Sequence, residues 1–179
     1  MKGDSMDDWQ SDFAAAQARL PCWLSRLARP RLIFLPSWWP APVGAWAYLH
    51  MVFIGPALRD APVDVRRYII GHEYGHIQAN HTVLHFFYWC AALGFLVAVL
   101  GHMPALGAWS CLVLAVVSFL VLLPPLARGR EYQADAVAAL LYGQETALRG
   151  ALWMADKTGT IGNAFRRSRL RRLGWKEGS

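Results

Sequence analysis

The chain has 179 residues, of which 55% are hydrophobic and only 17% charged, with nine tryptophans and a formal net charge of +6 at pH 7. Its length allows one domain with a real core, and its composition departs from the soluble average of about 25% charged residues toward that of a membrane protein. Three scattered cysteines, Cys22, Cys90 and Cys111, have no CxxC spacing, which excludes a disulfide scaffold and a cysteine-built zinc cage.

The N-terminus, "MKGDSMDDWQSD", is acidic and lacks the apolar core of a signal peptide. Residues 1–30 read as a polar lead and an amphipathic helix, with Phe13, Leu20, Trp23, Leu24 and Leu27 on its apolar side. Such a helix can pack on the domain or lie at a bilayer surface. The three prolines of "RLIFLPSWWPAPVG" forbid a long helix there; its paired Trp38 and Trp39 suit a membrane-interface belt or simple packing. Residues 45–54, "AWAYLHMVFI", are rich in aromatic and β-branched types and read as one strand ending at Gly55-Pro56. A helix over residues 64–81 follows, capped by Asp60 or Asp64, with Val63, Ile69, Ile70 and Ile77 contributing to its apolar face.

From Thr82 to Ala127 there is no Asp, Glu, Lys or Arg. The run splits at "GHMPALG" into Thr82–Leu100 and Ala105–Leu123, each about 28 Å long as a helix, close to the thickness of a hydrocarbon core of about 30 Å. This predicts a transmembrane hairpin over residues 82–123, with Pro124 and Pro125 ending the second span. Arg66, Arg67, Arg128 and Arg130 flank its outer ends, and the connection Gly101–Gly107 has no positive charge. The positive-inside rule then puts both termini in the cytoplasm, with two spans in the plasma or inner membrane. Further helices are expected over residues 128–156, and residues 157–179 form a basic tail. Past Asp156, seven Lys/Arg face one acid, Glu177. Beside an apolar segment such a tail suits anionic lipid headgroups, and no nucleic-acid-binding motif accompanies it.

The chemistry lies just before the apolar run, in "IIGHEYGHIQAN". Histidines four residues apart stand about 40° apart around a helix and one turn up. His72 and His76 can therefore reach one zinc ion, while Glu73 flanks a metal-bound water and can take its proton as general base. Gly71 and Gly75 each cost about 1 kcal/mol in a helix, so something needs the close approach they permit. A catalytic zinc wants a third protein ligand and an open fourth position. On a helix continued through residue 81, His81 stands about 140° from His76 and His85 on the far side; His102 belongs at the other end of the hairpin, and His50 reads as structural. The better candidate is Glu131, which a hairpin returns to the face carrying His72. Asp135, one turn on, can accept the outer N–H of a zinc-bound histidine.

HExxH followed by E-x-x-x-D, Glu131-Tyr132-Gln133-Ala134-Asp135, resembles the gluzincin peptidases of the HtpX and CAAX prenyl-endopeptidase family, whose HtpX branch is similar also in placing two membrane spans between the two motifs. The likeness runs from about Ala41 to Leu173. It implies a single α+β, zincin-like metallopeptidase domain, mainly α with a small β-sheet. It implies one Zn2+ held by His72, His76 and Glu131, with Glu73 as general base and Asp135 orienting a histidine. It makes Ala45, Trp46, Ala47, Tyr48 and Leu49 part of a substrate-binding edge strand, and "SRLRRL" at Ser168–Leu173 the closing segment. The activity implied is endoproteolysis of membrane or membrane-proximal proteins. The chain departs from the family in having Gly44 where Asn is frequent and in lacking spans before HExxH. Arg128, Arg130 and Tyr142 are the candidates for an oxyanion stabiliser. Two rival readings are a site-2-type intramembrane protease, disfavoured by the lack of an Asp-Gly motif, and a catalytically inactive zinc-binding membrane protein acting as an interaction module. The sequence leaves the oligomeric state open.

Overall fold

A computed structural model describes residues 6–20, 29–40, 43–102 and 105–176. Among the described residues six α-helices accompany one three-stranded sheet: α1 (Met6–Arg19), β1 (Arg31–Phe34), β2 (Ala45–Tyr48), β3 (Met51–Ile54), α2 (Val63–Gln78), α3 (His81–His102), α4 (Ala105–Tyr142), α5 (Gln144–Lys157) and α6 (Ala164–Arg172). The class is therefore mainly α with a small sheet, an α+β arrangement. The strand order is β1-β3-β2. β3 lies parallel to β1 and antiparallel to β2, with Tyr48 opposite Met51, so β2 is an edge.

Residues 45–54 are thus two strands rather than one. The reversal is a two-residue turn at Leu49-His50, with Leu49 at φ 53°. A left-handed turn normally announces itself with Gly, Asn or Asp; here none is present, and the uninterrupted apolar pattern hides it. Alternation then divides the hairpin's side chains. Val52 and Ile54 are fully buried in the core, while Trp46 and Phe53 stack across the strands at 5.5 Å on the opposite face, with Trp39 stacked on Trp46 at 6.1 Å.

The N-terminal helix packs on the domain. Trp9, Phe13 and Ala16 are all buried in the core, and Arg66 of α2 pairs with Asp12 at 2.7 Å. Trp23, Leu24 and Leu27, expected on the same face, lie outside the described residues. No aspartate side chain caps α2: Pro62 occupies the cap position, and Asp64 in the first turn instead pairs with Arg149 at 2.8 Å.

Two boundaries differ from expectation and both matter for the site. The helix expected over residues 64–81 breaks after Gln78, because Asn80 adopts φ 55° and turns the chain before α3 begins at His81. Asn tolerates the left-handed region better than most residues. Conversely, Pro124 and Pro125 do not end a helix; α4 runs through them to Tyr142. Each proline removes one i→i−4 donor, yet the helix continues past both. Among the described residues no helix is long and apolar enough to cross a membrane. Leu84, Phe86, Phe87, Leu93 and Val97 of α3 are nevertheless exposed large apolar side chains.

The fold is organised by α2 against the second half of α4. A Cβ added at Gly75 would stand 2.8 Å from the Cα of Ala134, and one at Gly71 would stand 2.7 Å from the Cα of Ala138. Both clashes are with backbone, so no rotamer change relieves them. Replacing Gly75 by Ala is expected to cost about 1–3 kcal/mol of overpacking, read as a lowered melting temperature of the purified protein; an unchanged or raised Tm would show that the helices have room to separate.

Candidate metal centre

The motif histidines stand on consecutive turns of α2, on the face that α4 covers. His72 and Glu73 are buried, and His76 is partly so. The Nε2 atoms of His72 and His76 are 3.2 Å apart. The carboxylate of Glu131, brought across by the glycine-lined helix contact, lies 3.4 Å from His72 Nε2 and 3.5 Å from His76 Nε2. These three residues are the group of potential metal ligands found among the described residues. Donors about 2.0–2.1 Å from a tetrahedral zinc ion stand about 3.3–3.4 Å from one another. The triangle is thus already the size of one face of a zinc tetrahedron, and two imidazoles with a carboxylate are a donor set suited to that ion.

Behind the triangle is a buried charge lattice. Asp135 Oδ1 accepts from His72 Nδ1 at 2.9 Å and from the Tyr68 hydroxyl at 3.0 Å. Arg169, from α6, donates to both Asp135 oxygens at 2.7 Å and to Glu131 Oε2 at 2.6 Å. The hydrogen bond to Asp135 fixes the His72 proton on Nδ1 and leaves Nε2 facing the triangle. Asp135, expected to orient a histidine, stands where that role requires.

Sequence reasoning missed Arg169. It lies in the segment read as a lipid-facing basic tail, yet it is only 5% exposed and reaches the heart of the site. The signal was the closing "SRLRRL" segment, in which one of three arginines carries a structural duty that composition cannot single out. Of the suggested oxyanion stabilisers, Tyr142 is committed elsewhere, its hydroxyl donating to the Asp12 carbonyl. Arg128 stands over the Phe165 ring at 5.7 Å, whereas Arg130 lines the cleft. His50 sits in the strand turn, its carbonyl accepting from Arg31 N–H.

Burial and charge set the proton affinities. Burial alone would push the His72 imidazole down, but its hydrogen bonds to Asp135 and Glu131 outweigh this and raise it to about 9. Burial and then the neighbouring His72 charge lower His76 to about 3. For Glu131, burial is outweighed by the His72 hydrogen bond and charge and by Arg169, which hold it at about 2. Desolvation lifts Glu73 to about 7, against the opposing His72 charge and a hydrogen bond from the Ala47 backbone.

A cleft of about 590 Å³ opens over these groups. Its walls include Ala45, Trp46, Ala47 and Tyr48 from the outer strand β2, and Phe86 and Trp89 from the start of α3. Four of the five expected strand residues therefore border the site. Leu49 does not continue the edge, because it occupies the turn, where its N–H meets Thr82 Oγ1 at 3.3 Å.

Two histidines one turn apart, a carboxylate from a second helix and a buried glutamate beside them form the constellation of a zinc metallopeptidase. Peptidase family M48 matches residues 52–158, a span holding every one of those residues, and the chain belongs to that family. It is a metallopeptidase. No curated protein and no solved structure matches the chain.

One zinc per chain is the expected stoichiometry, lost in His76→Ala and Glu131→Ala when metal content is measured on purified protein. A metal ion must also displace the proton that His72 holds below about 9. Apparent zinc affinity should therefore climb by up to about tenfold per pH unit between pH 6 and 9 and then level off. Affinity flat across that range would show that His72 is not the protonated ligand.

Proposed function

We propose that the protein is a zinc-dependent endopeptidase in which His72, His76 and Glu131 hold the metal and Glu73 is the general base. The observation that carries this reading is the donor triangle, sized for zinc, with Glu73 on its flank. Zinc, when bound, polarises the scissile carbonyl and acidifies a water molecule. Glu73, poised near pH 7 by burial, takes the proton from the attacking water and hands it to the leaving amine. Asp135 and Arg169 hold the ligands in place, Asp135 by fixing the His72 tautomer and Arg169 by binding Glu131 Oε2. The substrate lies extended along the outer edge of β2, whose residues Ala45–Tyr48 line the cleft, and is gripped by strand addition.

We place the chain near the HtpX branch, with residues 82–123 as a hairpin in the bilayer, the site and both termini on the cytoplasmic side, and membrane or membrane-proximal proteins as substrates. Support comes from the uncharged run Thr82–Ala127 and from the row of exposed apolar side chains on α3. Phe86 and Trp89 belong both to that row and to the cleft wall, so the apolar surface leads directly into the site. Exposed Arg167, Arg171, Arg172 and Lys176 at the C-terminal end suit anionic headgroups.

Two measurements test this. Glu73→Gln in detergent should keep stoichiometric zinc and lose at least about a hundredfold in cleavage of an unfolded membrane-protein substrate, the size of a general-base contribution. Equal cleavage by both proteins would remove Glu73 from the mechanism. In a background lacking the three native cysteines, a cysteine at Gly101 should react with an impermeant thiol reagent only from the side opposite the termini. Labelling from the cytoplasmic side alone would refute the hairpin or its orientation.

A further inference from the structure

His72 owes its orientation to Asp135, but the second motif histidine has an outer nitrogen too, and among the described residues its partner is no acid. His76 Nδ1 lies 2.7 Å from His81 Nδ1, and His81 Nε2 lies 2.9 Å from Gln133 Oε1. His81 itself is buried, at 4% exposure. Only one assignment of protons satisfies all three groups. With His76 Nε2 in the donor triangle as a lone pair, its proton stands on Nδ1 and is donated to His81 Nδ1. The His81 proton is then on Nε2, where it is donated to the Gln133 carbonyl oxygen.

We infer that His81 is a positioning residue for metal binding, acting through His76, with Gln133 fixing the His81 tautomer. The inference rests on the zinc reading above. The turn at Ala79-Asn80 is what makes it possible. On an unbroken helix His81 would point about 140° away, whereas Asn80 at φ 55° starts a new helix and brings the two imidazoles to a centroid separation of 5.0 Å. Gln133 lies two residues past Glu131 and two before Asp135 on α4, so one stretch of helix supplies a ligand, the partner of one ligand histidine and the anchor for the partner of the other.

The test is zinc affinity by chelator competition on the full-length protein, with thermal melts of the metal-free variants alongside. His81→Leu keeps bulk and removes the acceptor; it should weaken zinc about 10–100-fold, the usual cost of losing such a partner. His81→Asn puts an amide oxygen where Nδ1 was and should hold affinity within a few-fold of wild type. Gln133→Leu, at a side chain that bonds to His81 and not to the three ligands, should weaken it several-fold. Wild-type affinity in His81→Leu overturns the proposal. So does equal loss in the Leu and Asn variants, since packing rather than the hydrogen bond would then be responsible. If His81→Leu proves too unstable to measure, unchanged affinity in Gln133→Leu overturns it. A wild-type protein that binds no zinc would overturn the metal reading as well, a result distinct from all of these.

Discussion

Everything at the site depends on how closely α2 and α4 approach. The two HExxH turns lie on one helix and Glu131 and Asp135 on another, and no local sequence preference joins them. Contact is made where Gly71 and Gly75 face Ala138 and Ala134, with hydrogen atoms in place of side chains at both glycines. The glycine positions flank His72 and His76, so the residues that weaken the helix as a helix are those that set the donor distances. The intrinsic cost of two glycines, about 1 kcal/mol each, is offset by burial of the paired helices against the core. A methyl group of separation would move the carboxylate out of the 3.4–3.5 Å range that closes the triangle.

The close contact creates an electrostatic difficulty that α6 resolves. Glu131 and Asp135 are drawn from water one turn apart, and buried carboxylates tend to protonate unless a cation or hydrogen bonds hold the charged form. Arg169 donates to both and also reaches the Tyr68 hydroxyl. It keeps Asp135 ionised as an acceptor for His72 and Glu131 ionised beside the two imidazoles. The C-terminal segment is consequently part of the site although it follows the last expected helix. Its remaining exposed arginines leave Arg169 looking, in sequence, like one more member of a basic run.

Legibility followed the range of the physics. HExxH is local, so His72, Glu73 and His76 could be read from helical spacing alone. Glu131 and Asp135 needed the added idea that the chain folds back between the two motifs, and α3 and α4 do return Glu131 to His72. The strand over residues 45–54 was half right: its composition was legible, but its turn uses Leu49 in a conformation that side chains rarely adopt and carries no glycine or asparagine marker. The helical-wheel argument against His81 is sound for a continuous helix. One asparagine in the left-handed region voided it. Arg169 was invisible because its partners lie 34 to 101 residues away.

The central claim is that two imidazoles of α2 and one carboxylate of α4 hold a single zinc ion. X-ray absorption at the zinc edge on the metal-loaded protein tests it most directly. The expected spectrum shows a shell of nitrogen and oxygen at about 2.0–2.1 Å, with outer scattering from two imidazole rings, and the zinc signal is lost in Glu131→Ala. A sulfur shell at about 2.3 Å, or scattering from three or more imidazoles, would contradict it.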